Sequence, residues 1–98
     1  MESSQSIPGL DSSAPNPFRN ATRIRFGLPV PTQTTLTIYN VEGRLVARLL
    51  DRQVLAAGFH TEVWEGRDAA GRRLSSGVYF YRLETKGSIR SHKMIMLR

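Results

Sequence analysis

Few side chains in this sequence are of types that make or break bonds. The stretch most suggestive of chemistry is Trp64-Glu65-Gly66-Arg67-Asp68, followed closely by Tyr79-Phe80-Tyr81. Aromatic faces stack on sugar rings, so Trp64 invites a carbohydrate-platform reading. Glu65 with Asp68 could form a carboxylate pair for glycoside hydrolysis or a Ca²⁺ site. Each idea has a plainer rival. A Trp at this place in a β-domain is a core aromatic, covered by Tyr79 and Tyr81. Asp and Glu beside glycines are turn formers that accept backbone N–H groups. The chain has no D-x-D-x-D-G run, so calcium is not supported.

The remaining candidates narrow in the same way. His60 and His92 are the only histidines. There is no G-x-S-x-G elbow to pair with either, and with no cysteine they do not make a zinc site of the usual kind. His60 reads as a partly buried strand residue bonded to a loop carbonyl. Gly66 and Gly71 have the spacing of a phosphate loop but lack the Lys-Ser/Thr that would follow. No catalytic, cofactor-binding or metal-binding residue is assigned, and no cofactor is expected.

Charge offers a second kind of function. Lys and Arg total 14 against 8 acidic residues, a net +6. That balance suits an acidic polymer or nucleic acid, but the basic residues are scattered and form no tract. Arg23, Arg25, Arg44 and Arg48, with Arg19, could make a basic stripe across neighbouring strands. Single-strand nucleic-acid readers interleave such residues with exposed aromatics, and Tyr39 is the sole candidate. Nucleic acid is therefore not the expected partner, while polysaccharide stays open.

The elements that must position these residues follow from alternation. Thr22, Ile24, Phe26 and Leu28 face one way and Arg23 and Arg25 the other, which marks a half-buried strand. Pro29 and Pro31 stop it. Leu36 and Ile38 share a face of a second strand over Thr34–Tyr39. Asn40-Val41-Glu42-Gly43 is a turn. Arg44–Leu50 follows as a strand, although Leu45, Val46, Leu49 and Leu50 would also suit a helical turn. Gln53–Ala56 reads as a short separate strand. Phe59–Glu65 carries Trp64; Val63 and Trp64 claim opposite faces, and the pattern does not choose between them. Asp68-Ala69-Ala70-Gly71 is a type I turn. Val78–Thr85 places Tyr79, Tyr81 and Leu83 together, Lys86-Gly87 signals a hairpin, and Ile89–Leu97 ends the domain. Met94 and Met96 lie opposite Ile95 and Leu97, so this last strand is interior to a sheet or has a covered edge.

Residues 1–16 are Ser-, Pro- and Asn-rich and read as a flexible tail or linker before a domain at 17–98, ordered only if it adds to a sheet edge or packs on a neighbour. Ile7 and Leu10 are the tail's large apolar residues and its candidate docking groups. No stretch approaches the roughly 20 apolar residues of a membrane span. The opening Met1-Glu2-Ser3-Ser4-Gln5-Ser6 lacks the basic-then-apolar pattern of a signal peptide.

Several segments together resemble a known bacterial pattern. They are Asn16-Pro17-Phe18, Leu36 through Arg44, Ala57-Gly58-Phe59-His60, Trp64-Glu65-Gly66-Arg67-Asp68, Gly71, Ser76 through Leu83, and Lys93-Met94. In order and spacing they are similar to the Ig-like domain of the flagellar hook-capping protein family. That pattern overlaps the C-terminal sorting domains of type IX secretion. Glu65 stands where the family usually has Asp, and Glu62 where it usually has an apolar residue. The fold expected is all-β, an immunoglobulin-like or fibronectin III-like antiparallel sandwich of about seven strands. Its core would hold Ile24, Phe26, Leu36, Ile38, Trp64, Tyr79, Tyr81 and Leu83. The resemblance implies a non-catalytic module outside the cell or in its envelope, as a C-terminal sorting, anchoring or interaction domain. The alternatives are a structural subunit of a filament or cap assembled through strand edges and the N-terminal tail, or a carbohydrate-binding accessory domain. The module's partner would be protein: secretion machinery, a parent domain or like subunits. Ile7, Leu10, Arg23 and Arg25 are the residues offered for interaction.

Overall fold

The computed structural model describes residues 9–98, and among them there is no helix. The elements are β1 (Thr22–Leu28), β2 (Thr32–Asn40), β3 (Leu45–Leu55), β4 (Gly58–Trp64), β5 (Gly77–Thr85) and β6 (Ser88–Met96). They form two antiparallel sheets, β1-β4 and β3-β2-β5-β6. Both sheets turn one apolar face inward, as a sandwich requires.

The core follows the period-2 pattern. Ile24, Phe26 and Leu28 come from β1, Leu36 and Ile38 from β2, Tyr79, Tyr81 and Leu83 from β5, and Met94 and Met96 from β6, all buried. Register aligns them across strands: Leu36 faces Leu83, Ile38 faces Tyr81, and Tyr79 faces Met94. In β4, Trp64 is buried and Phe59 and Val63 are exposed. The question of which β4 face turns inward is thereby answered: His60 and Glu62 share the inner side with Trp64, half-buried.

Three features correct the sequence expectation or choose between alternatives it left open. There are six strands rather than about seven, because Gln53–Ala56 is not a separate element. β3 runs on through an irregularity opposite Thr34–Leu36, with Arg52 at φ 51 and its N–H donated to Thr35 Oγ1 at 3.1 Å. The nine-residue β2 is long enough to pair on both sides of that bulge.

The second difference concerns the segment expected to be a flexible tail. Its residues 9–16 pack on the sandwich. Asp11 N–H donates to the Arg25 carbonyl at 2.9 Å, Gly27 N–H to Gly9 at 2.9 Å, and Ala14 and Arg23 exchange bonds at 3.0 and 2.8 Å. The segment is in effect an extra strand beside β1. Side chains of the other sheet reach it too: Tyr81 Oη donates to the Asp11 carbonyl at 2.7 Å, and His92 Nε2–H to Leu10 at 3.0 Å. Polar composition suggested a tail, but the segment is held by its backbone, which composition does not report.

The third is the cover over β6. Phe18 N–H donates to Ile95 at 2.9 Å and Leu97 N–H to Phe18 at 2.8 Å. Asn16 adds Oδ1 as acceptor for Ile95 N–H at 2.9 Å. Of the two placements left open for this strand, the covered edge is the one found. Phe18 is 1% exposed and belongs to the core, which the sequence reading did not assign to it.

Candidate interaction surface

The Trp64–Asp68 stretch is structural in its contacts. Trp64 packs edge-on to Phe18 and Tyr79, with centroids 5.8 and 5.2 Å away. Its expected cover was Tyr79 with Tyr81; Phe18 takes the second place, and Tyr81 instead lies against His92 at 5.7 Å. The indole N–H donates to the Arg67 carbonyl at 3.0 Å, so the ring also anchors the loop that follows. Asp68 organises that loop. Its Oδ1 accepts the N–H groups of Arg72 at 2.9 Å and Ala70 at 3.0 Å, and its Oδ2 accepts Arg72 Nε at 3.1 Å. The Arg72 backbone N–H, seconded by the guanidinium, holds the Asp68 carboxyl below the usual carboxylate range. Glu65 is exposed beside Arg67, Arg73 and Arg98.

His60 lies 2.8 Å from the Ala56 carbonyl and stacks on Phe26 at 5.5 Å. His60 and His92 belong to different sheets. Tyr81 is buried, and that burial pushes its phenol pKa up.

The residues offered for interaction are separated by the fold. Ile7 lies outside the described residues. Leu10 is 9% exposed and bridges Phe26, so its side chain is spent inside its own core. Arg23 and Arg25 are exposed on the outer face of β1. Arg25 lies 3.6 Å from Asp11 and its guanidinium stands 3.9 Å from the Phe59 ring centre. The basic stripe does not assemble. Arg48 is on β3 in the four-stranded sheet, while Arg23 and Arg25 are on β1 in the other. The chain changes sheets at Pro29–Pro31, which the alternation within each strand does not encode.

Three surface features were not singled out from sequence. Phe59 and Val63 are about half exposed beside Arg23 and Arg25, forming a mixed apolar and basic outer face. Parity from a buried Trp64 would have placed both outside. On the opposite sheet the Arg82 guanidinium stands 4.8 Å from the Tyr39 ring centre, near the buried Thr37. A cleft of about 780 Å³ also opens at one end of the sandwich, between the Leu28–Thr32 connection and the β5–β6 turn. Among the described residues, no three His, Cys, Asp or Glu groups gather as a metal site. Among the same residues, no helix is long and apolar enough to cross a membrane.

These strands and this surface define an immunoglobulin-like antiparallel sandwich. The FlgD Ig-like domain model matches residues 13–88, and the chain belongs to that family. Solved structures share the fold. Dimeric latent PorU of Porphyromonas gingivalis is 23% identical with a TM-score of 0.73, over 90% of this chain and 9% of PorU. PorZ, an essential bacterial surface component of the type IX secretion system of the same organism, is 21% identical with a TM-score of 0.62, over 92% of this chain and 12% of PorZ. FlgD of Pseudomonas aeruginosa is 23% identical with a TM-score of 0.61, over 78% of this chain and 60% of FlgD. The chain thus spans a small part of PorU and PorZ and under two thirds of FlgD. No curated protein matches the sequence.

Proposed function

We propose that this domain is a non-catalytic interaction module of a secreted or envelope-bound bacterial protein, serving as its C-terminal sorting or anchoring domain. The observation that carries this reading is the Ig-like fold shared with PorU and PorZ over 90% and 92% of the chain. The chemistry of such a module is recognition, and its tools are outer sheet faces, loops and edges. The partner is protein: the secretion machinery or the domain the module follows. The test is to fuse residues 1–98 to the C-terminus of an exported reporter in a bacterium with type IX secretion. Reporter at the cell surface is the expected result. Reporter held in the periplasm, with the fusion intact and folded, overturns the reading.

A second reading is a structural subunit of a filament or cap, favoured by the likeness to FlgD over 78% of this chain. It expects large assemblies at moderate concentration, visible by electron microscopy. Particles no larger than a few chains count against it.

A further inference from the structure

Each sheet edge among the described residues is treated differently. β1 is flanked by residues 9–14, and β6 by Asn16–Phe18. β3 is open but blunted, with register shifts against β2 and with Arg48, Asp51 and Arg52 along it. β4 ends its sheet with neither a covering segment nor a bulge, and its one charge is the inward-turned Glu62. It pairs with β1 without a register shift, contains no Pro, Lys or Arg, and exposes Phe59 and Val63. A flat edge of that kind is a template for strand addition.

The backbone direction at this edge follows from the bonds on β1. Arg23, Arg25 and Gly27 spend their backbone groups on residues 9–14. The even residues of β1 therefore point to β4, and they pair with the even residues Glu62 and His60. It follows that Phe59, Thr61 and Val63 aim their N–H and C=O groups at the open edge.

We infer that β4 is a self-association strand, taking β4 of a second copy antiparallel about a two-fold axis through Thr61. In that register Thr61 meets Thr61 of the other copy, and Phe59 meets Val63 twice. These pairs all use edge-directed backbone groups and would form about six inter-chain hydrogen bonds, two for each pair. On the outer face the pairing is apolar against apolar. On the inner face it sets each His60 opposite a Glu62. The neighbouring registers that preserve backbone bonding are worse. A slip of two residues one way opposes Glu62 to Glu62, and like charges directly opposite destabilise a sheet. The other way it opposes His60 to His60 and leaves Glu62 facing Gly58, without a partner side chain. Glu62, an inward-turned charge on an edge strand, thus discourages an arbitrary partner strand and suits this one. An isologous two-fold contact needs such a self-complementary surface.

Basic groups oppose the pairing to some degree. The Arg25 guanidinium stands over Phe59 on β4, so it would lie about two strand spacings, roughly 10 Å, from Arg23 on β1 of the other copy, close to the screening length of about 8–10 Å at ordinary ionic strength. The net +6 on each chain opposes association at long range, so added salt should favour it. The inference stands apart from the sorting proposal, because a domain could associate through β4 whether or not it directs export.

The test is the solution mass of the full chain over a concentration series, combined with amide hydrogen exchange. The weight-average mass should rise from 11.0 kDa toward twice that value, and rise further with salt. Amides of Phe59, Thr61 and Val63 should exchange rapidly when dilute and slow at least tenfold when concentrated, while those of His60 and Glu62 are protected throughout. Thr61→Pro removes an outward-pointing N–H and should abolish the rise in mass while leaving the fold intact. Glu62→Lys, opposing His60, should weaken association at least tenfold and serves if the proline variant does not fold. A chain monomeric at every concentration overturns the inference. So does a dimer whose odd β4 amides stay unprotected, or one that both variants leave unchanged.

Discussion

Replacing Gly66 by Ala separates backbone strain from packing, because Gly71 supplies a matched control in the same loop. Gly66 has φ +71, and a Cβ there would come 2.5 Å from Met96 Sδ and 2.7 Å from an Arg98 guanidinium nitrogen. Gly71 has φ +85 and nothing within 4 Å of such a Cβ. Both alanines incur the left-handed penalty of about 1–2 kcal/mol. Gly66→Ala adds overpacking of about 1–3 kcal/mol. The neighbours have little room to yield. Met96 is fully buried, and Arg98 donates to the Gly66 carbonyl at 2.8 Å and the Leu74 carbonyl at 2.9 Å. Gly66→Ala should therefore cost about 2–5 kcal/mol, and Gly71→Ala about 1–2 kcal/mol. For a domain this size each kcal/mol moves the melting temperature by about 4–8 °C. Urea unfolding followed by the fluorescence of Trp64, the single Trp, measures both variants directly. Equal losses within about 0.5 kcal/mol, the usual scale of a surface substitution, would refute the close packing of Met96 and Arg98 over Gly66.

Three further outcomes follow from the contacts. Trp64→Ala should cost about 3–5 kcal/mol; far-UV circular dichroism through a thermal scan checks it, and a melt within a degree or two of wild type would contradict the core role. Deleting residues 1–16 removes Leu10 from the core, worth about 1.5–3 kcal/mol, together with the backbone bonds to β1 and the acceptors of Tyr81 and His92. The shortened chain should melt far below the full one or fail to fold; an unchanged melt would mean that residues 9–16 contribute nothing to the fold. Asp68 is the pH probe. Its carboxyl is held low in the folded state, so its contribution is present at neutral pH and is lost as the pH falls through and below the ordinary carboxylate range. Asp68→Asn should lower the melting temperature at pH 7, and the gap from wild type should narrow as the pH falls through and below the ordinary carboxylate range. A gap that stays constant with pH would show that the carboxylate charge is not what matters there.

Much of the fold was legible because alternation reports burial. Thr22–Leu28 shows one apolar face, Val78–Thr85 sets Tyr79, Tyr81 and Leu83 on one side, and the β5–β6 turn at Lys86-Gly87 is marked by its residue types. β3 was split in two because Asp51 and Arg52 look like a loop, whereas β2 simply pairs past them. The β4 face was undecided because Val63 and Trp64 are both apolar. Only the packing of Trp64 between Phe18 and Tyr79 makes Glu62 an inward residue and Val63 an outward one. The interaction residues were the least legible part. Leu10 looked available because its neighbours are polar, yet its segment is bonded by backbone along β1.

The sequence by itself determined which side chains β1, β2 and β5 turn inward and where most of the chain reversals fall. Those properties are local: a strand's side chains alternate strictly, and turns need particular residues at particular places. The tertiary structure alone decided which sheet each strand joins, that Arg48 lies on a different sheet from Arg23 and Arg25, and which edges residues 9–18 cover. Lateral pairing is made by backbone groups that every residue carries alike, so no residue type announces it. For the same reason the open edge of β4, with its odd-numbered backbone groups unspent on β1, became visible only once the neighbouring strands were in place.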